Sequence, residues 1–154
     1  MSMTRAEIEQ CIPHREPALW LDEVVTLEPE RIVCRRRVPA DFDWFRGHYP
    51  GQPILPGVIL CEACLQAGAV LIAKHPDGAL SAGEVPVATR LNNVKFKQMV
   101  RPGDELELEV VLTERLGRAF YMTGKVTVRG KTAVTLDFAC SAAPAPAAVP
   151  TATA

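Results

Sequence analysis

Hydrophobic and polar positions change rhythm several times along this chain. From Val58 to Ala73 nearly every residue is apolar, and the only strongly polar side chains are Glu62 and Gln66. A segment apolar all round suits a helix enclosed by protein. The pattern predicts a helix from Gly57 to about Lys74, ended by the turn chemistry of His75–Gly78. Elsewhere the period is two. Ile32, Cys34 and Arg36 alternate with Val33, Arg35 and Arg37, and Leu106, Leu108 and Val110 oppose charged neighbours. Strands are expected over 18–27, 31–38, 86–100, 101–114, 118–130 and 131–141, the last two joined by a tight turn at Gly130–Lys131. Thr4 followed by Glu7 forms a capping-box pattern for a short N-terminal helix. Residues 39–56 read as irregular. Strands that both precede and follow one buried helix imply an antiparallel sheet curled around it, an α+β architecture.

Composition narrows the picture. A chain of 154 residues suits one domain with a substantial core, expected over residues 1–141. The Pro/Ala-rich segment 142–154 has no core-forming pattern and is expected to be disordered. A net charge of −1 gives no overall pull toward nucleic acid or a membrane surface. The polar start "MSMTRAEIEQ" lacks a secretory apolar region, and the longest apolar run is too short for a bilayer, so membrane insertion is not expected and a cytoplasmic location is. Five cysteines without regular spacing argue against a disulfide framework. Cys61 and Cys64 form a C-x-x-C, but no second Cys or His pair stands at zinc-ligand spacing, so both are expected in the core.

Glu62 raises the chemical question. A carboxylate in apolar surroundings must be paired, protonated or close to a solvent-filled pocket. Gln66, one helical turn on, can orient it by a hydrogen bond, and a contact to a strand arginine is the structural alternative. Burial would raise the carboxyl pKa and leave a group able to donate a proton. His48 lies in a loop made adaptable by Gly47, Gly51 and Gly57 and stiffened by Pro50, Pro53 and Pro56. Such a loop can hold one imidazole in place. Gly57 opens the helix, where an unpartnered N–H can polarise a carbonyl oxygen. Base, acid and polarising amide suit proton abstraction beside a carbonyl followed by loss of a leaving group.

The segment "GHYPGQPILPGVILCEACLQAG" resembles the active-site segment of the FabZ-type 3-hydroxyacyl-[acyl carrier protein] dehydratases. "IPHREP" is similar to that family's opening "IPHRYPF", and "VKFKQMVRPGDEL" to its later "VRFKRPVVPGD". The resemblance implies a hotdog fold, with a sheet wrapped around a long helix, and a homodimer or trimer of dimers. It places His48 on the catalytic histidine, Glu62 on the catalytic acid, and Gly57, Val58 and Gln66 among the substrate-binding positions, Gln66 supporting the acid. The site it implies is shared between subunits. Glu62, where the FabA-type dehydratase/isomerases usually carry Asp, favours dehydration alone. No metal or redox cofactor is implied, since the thioester itself acidifies the α-carbon. A hotdog thioesterase and a non-catalytic acyl-binding protein are the rival readings. Departures from the family pattern fall at Glu16, Ala18 and Trp20, at Tyr49 and Gln52, and in "FKQMV", where Gln98 stands in place of a basic residue.

The implied partner, acyl carrier protein, is acidic, so a local basic patch is expected. Lys95 and Lys97 with Arg101 form one cluster and Arg35–Arg36–Arg37 another. Alternation would put Lys95 and Lys97 outward together and Phe96 inward.

Overall fold

A computed structural model describes residues 1–147. Its elements run α1 (Arg5–Cys11), β1 (Glu23–Glu28), β2 (Arg31–Arg37), a 3-10 turn (Asp43–Arg46), α2 (Gly57–Ala73), β3 (Glu84–Phe96), β4 (Glu105–Leu116), β5 (Ala119–Val128) and β6 (Lys131–Pro144). At α1 the Glu7 carboxylate accepts hydrogen bonds from the N–H and the hydroxyl of Thr4, each 2.7 Å long. The capping box expected there is present.

The six strands form one sheet in the order β1-β2-β4-β5-β6-β3, antiparallel at every step. The sheet curls around α2, which packs against β2 through β6. Leu60, Ala63, Cys64, Ala67, Val70 and Leu71 fill the space between them, all 2% exposed or less. Burying each large aliphatic side chain there stabilises the fold by ~1.5–3 kcal/mol. Gly68 sets how closely the helix lies on the sheet, because a Cβ at that position would fall 2.8 Å from the Phe138 ring. Both thiols of the C-x-x-C are buried in this core. Burial pushes Cys64 up, as it does Cys34 and Cys140, each of those two to about 12. This is the hotdog arrangement, and the α+β expectation holds.

Four local expectations change. The first strand begins at Glu23 rather than Ala18, because Ala18 and Trp20 give their backbone groups to the Gln66 side chain. The β5–β6 turn sits one residue earlier than expected, on Arg129 and Gly130, with φ of 48° and 71°. Positive φ at both central residues matches the right-handed twist of the flanking strands. The last strand continues to Pro144, with Ala142 buried and the Ala145 N–H bonded to Gly83 O at 2.8 Å. The ordered domain therefore passes the expected boundary at residue 141, and residues 148–154 of the tail lie outside the described residues. Finally, Arg36 turns inward, 4% exposed, with its guanidinium 5.1 Å from the Trp20 ring centre and paired to Asp22. Arg35–Arg36–Arg37 is therefore not a continuous basic surface.

β3 stands at the edge of the sheet, hydrogen-bonded on one side to β6. Val87, Leu91 and Phe96 on it are 40%, 46% and 57% exposed, unusual for an edge strand that faces water. Among the described residues no helix is long and apolar enough to cross a membrane.

Candidate active site

His48 follows the 3-10 turn, and the backbone N–H groups of Gly47 and His48 both bond to Trp44 O. The chain then bends through Tyr49 with φ of 56° and Gly51 with φ of 85°. The left-handed conformation at Tyr49 costs about a kcal/mol or more and persists only where surrounding contacts hold it. Here the Gln52 N–H closes the bend on Tyr49 O, and the Leu55 N–H ties the exit to Val100 O. The Tyr49 ring packs edge-on against His48, with centres 4.9 Å apart. His48 Nδ1 lies 2.6 Å from Ile54 O. A carbonyl oxygen only accepts, so Nδ1 carries a proton, and in the neutral ring the lone pair is on Nε2. That tautomer is the one a general base requires.

His48 faces the start of α2. His48, Tyr49, Gly57, Val58, Phe96, Lys97 and Met99 are among the residues lining an open cavity of about 500 Å³. Pro56, at the N-cap, offers no side-chain hydrogen bond to the first turn, and helix geometry gives the amides of Gly57 and Val58 no intrahelical acceptor. A carbonyl or thioester oxygen would find N–H donors and the positive end of the helix dipole there. Phe96 lies over this helix start: a Cβ at Gly57 would fall 2.6 Å from its ring. Glycine is thus required by a close approach, since any side chain would displace the aromatic wall. Phe96 is not the inward core residue expected from strand alternation. On an edge strand its ring covers the helix start instead of entering the core.

Glu62 does not line this cavity. It stands further along α2 and shares an outward stripe with Val58 and Leu65, its side chain 40% exposed. The engulfed carboxylate suggested by the apolar sequence is therefore half-open in the single chain. Its setting is nevertheless specific. Gln66, 1% exposed, donates from Nε2 to Glu62 Oε1 and to Ala18 O, both at 2.8 Å, and accepts from the Trp20 N–H at 2.8 Å. His14 Nε2 lies 3.6 Å from the same Oε1. Gln66 thus fastens the helix to the 18–20 segment and aims the acid, as its position one turn away predicts. The structural alternative, an arginine contact to Glu62, is not formed among the described residues.

The basic residues separate. Lys95 lines a groove on the outer face of the sheet with Glu109, Lys125 and Asp137, whereas Lys97 lines the His48 cavity. Asn93, with φ of 52°, and a register shift between Asn92 and Lys95 interrupt the alternation, and the strand ends at Phe96. Arg101 is exposed in the turn before β4, where its N–H bonds to Asp104 at 2.8 Å. His14 was not singled out by sequence reasoning. It lies in "IPHREP", but nothing local ties residue 14 to residue 62.

Comparison with known proteins agrees with this geometry. The ApeI-like family model, described as ApeI dehydratase, matches residues 24–133. The 3-hydroxyacyl-[acyl-carrier-protein] dehydratase FabZ of Oenococcus oeni is 39% identical over 136 residues, 88% of this chain and 96% of that relative. FabZ of Enterococcus faecalis is 40% identical over 132 residues, 85% of this chain and 92% of the relative. Among solved structures, the dehydratase heterocomplex ApeI:P of Xenorhabdus doucetiae matches with a TM-score of 0.72 at 21% identity, covering 87% of this chain and 89% of that one. A hypothetical thioesterase with coenzyme A from Streptococcus pneumoniae matches at 0.60 and 13% identity over 80% of this chain and 87% of that one. At those identities the two structures speak to the fold alone. The extent and identity of the FabZ alignments speak to the family: this chain belongs to the FabZ-type 3-hydroxyacyl-[acyl carrier protein] dehydratases.

Proposed function

We propose that His48 and Glu62 carry out the family's reaction, dehydration of a 3-hydroxyacyl thioester borne by acyl carrier protein to the trans-2-enoyl thioester, as part of fatty-acid or related acyl-chain synthesis. The observation that carries the assignment is the His48 Nδ1–Ile54 O hydrogen bond, which leaves Nε2 bare at the cavity that contains the Gly57 amide. Nε2 takes the proton from the α-carbon, whose electrons form the new double bond. The thioester oxygen gathers charge against the Gly57 N–H at the helix start. The β-carbon–oxygen bond breaks, and the hydroxyl takes a proton from Glu62 and leaves as water. Proton return from His48 to Glu62 closes the cycle.

The arrangement calls for two chains. Within one chain the acid lies outside the base's cavity, and Val58 on the outward stripe of α2, like the apolar side chains of β3, is exposed, with Leu65 half-buried beside it. A homodimer, or a trimer of such dimers, would cover these surfaces and bring Glu62 of one subunit to His48 of the other. Lys97, at the cavity mouth, is the leading contact for the acidic carrier, with Arg101 secondary. Lys95, beside Glu109 and Asp137, is the least suited of the three. A cytoplasmic location fits this role.

The test is His48→Ala and Glu62→Gln, assayed for enoyl product and for free thiol, the product of the rival thioesterase. Each substitution should lower dehydration at least on the order of a hundredfold without lowering the thermal midpoint. Mixing the two inactive proteins under conditions of subunit exchange should restore activity, since a hybrid dimer contains one intact site. Near wild-type turnover by either variant would remove that residue from the mechanism, and thiol release in place of enoyl product would favour the thioesterase.

A further inference from the structure

Glu62 has two carboxyl oxygens, and the surrounding side chains treat them differently. The Gln66 amide donates to Oε1 at 2.8 Å, and His14 Nε2 approaches the same oxygen at 3.6 Å. Oε2 has no protein donor among the described residues. On the far side of the His14 ring, Nδ1 is buried without any hydrogen-bond partner. A ring nitrogen sealed away from acceptors is better left as a bare lone pair than as an unpaired N–H donor. The His14 proton then belongs on Nε2, pointing at Glu62. With the opposite tautomer, a lone pair would face a carboxylate oxygen and the buried N–H would have no acceptor. The separation is about 0.7–0.9 Å more than a charge-assisted N–H···O bond, and such contacts commonly tighten when substrate closes a site.

We propose that His14 is a positioning residue for the acid: with Gln66 it holds Glu62 Oε1 and reserves Oε2 as the oxygen that delivers the proton to the departing hydroxyl. Charge left on the carboxylate after that transfer is met by Gln66, bonded at 2.8 Å, and by the His14 N–H as the site closes. Freed of both donors, the carboxyl group would rotate, presenting either oxygen and losing the fixed direction of transfer. The inference rests on the assignment of Glu62 as the acid, and its experiment separates the two.

His14→Leu and His14→Asn both remove the donor at the ε position, Leu by removing polarity and Asn by shortening its reach, so one can stand in if the other folds poorly. Each should lower kcat about tenfold while KM stays within about twofold. His14→Gln, whose amide nitrogen sits where Nε2 was, should recover most of the rate. In a Glu62→Gln background, followed in single turnovers over long incubation, His14→Leu should cost nothing more, because it acts through a group already removed. Wild-type kcat in both His14 variants, with Glu62→Gln inactive, would overturn the role of His14 and leave the acid's role intact. An equal loss in both backgrounds would make His14 merely structural and overturn it as well. Near wild-type turnover by Glu62→Gln would remove the underlying assignment and the inference with it.

Discussion

Gln66→Leu gives the most informative single test of how the fold builds the acid. The substitution nearly conserves volume at a site 1% exposed, so it isolates the loss of three hydrogen bonds from the loss of packing. The Trp20 N–H, in a residue 3% exposed, loses its acceptor. An unsatisfied buried donor costs ~1–3 kcal/mol. The Ala18 carbonyl also loses its partner, but it belongs to an exposed residue that can turn to solvent, so only ~0.5–1 kcal/mol is at stake. The extra apolar surface of leucine returns about 1 kcal/mol. A net destabilisation of about 0.5–3 kcal/mol remains. For a domain of this size that lowers the thermal midpoint by about 1–12 °C, measured by circular dichroism at a fixed protein concentration because assembly also shifts the midpoint. Well below the transition, kcat should still fall about tenfold, since Glu62 has lost its 2.8 Å anchor. A variant with an unchanged midpoint and unchanged kcat would refute the view that Gln66 ties the helix to the 18–20 segment and aims the acid.

Two further outcomes are expected. Lys97→Glu should slow turnover of a carrier-bound substrate several-fold at low salt, less at high salt, and hardly affect a carrier-free thioester mimic, whereas Lys95→Glu should change neither; a larger effect at Lys95 in steady-state assays would move docking to the outer groove. The buried thiols of Cys34, Cys64 and Cys140 stay protonated when folded, while the unfolded chain ionises them above pH ~8.5. Their contribution is therefore complete below that pH and is lost as pH rises toward 12, by about 1.4 kcal/mol per pH unit for each thiol; urea unfolding between pH 8 and 10 should show the decline, and a flat profile would contradict it.

Several features of this protein can be read from local pattern alone. The all-apolar run of α2 predicts a helix enclosed by sheet, because no other setting hides every face. The capping box of α1 needs only Thr4 and Glu7, three residues apart. Gln66 and Glu62 are one turn apart, so helix geometry by itself brings them together. Resemblance to a known family supplied the chemical roles, which periodicity does not contain. What the tertiary structure decided involves residues distant in the chain or the edges of elements. The inward turn of Arg36 depends on Trp20 and Asp22, and the close approach of His14 to Glu62 spans most of the N-terminal half. Phe96 departs from the inward position that alternation predicts because its strand is an edge, and its ring is set by the space over Gly57. Lys95 and Lys97 part because a register shift and the end of a strand break the period of two. The imidazole tautomer of His48 is set by the Ile54 carbonyl, which a rigid loop returns to it. Sequence spacing determines which side chains share a face within one element, and only the packing of different elements determines what that face meets.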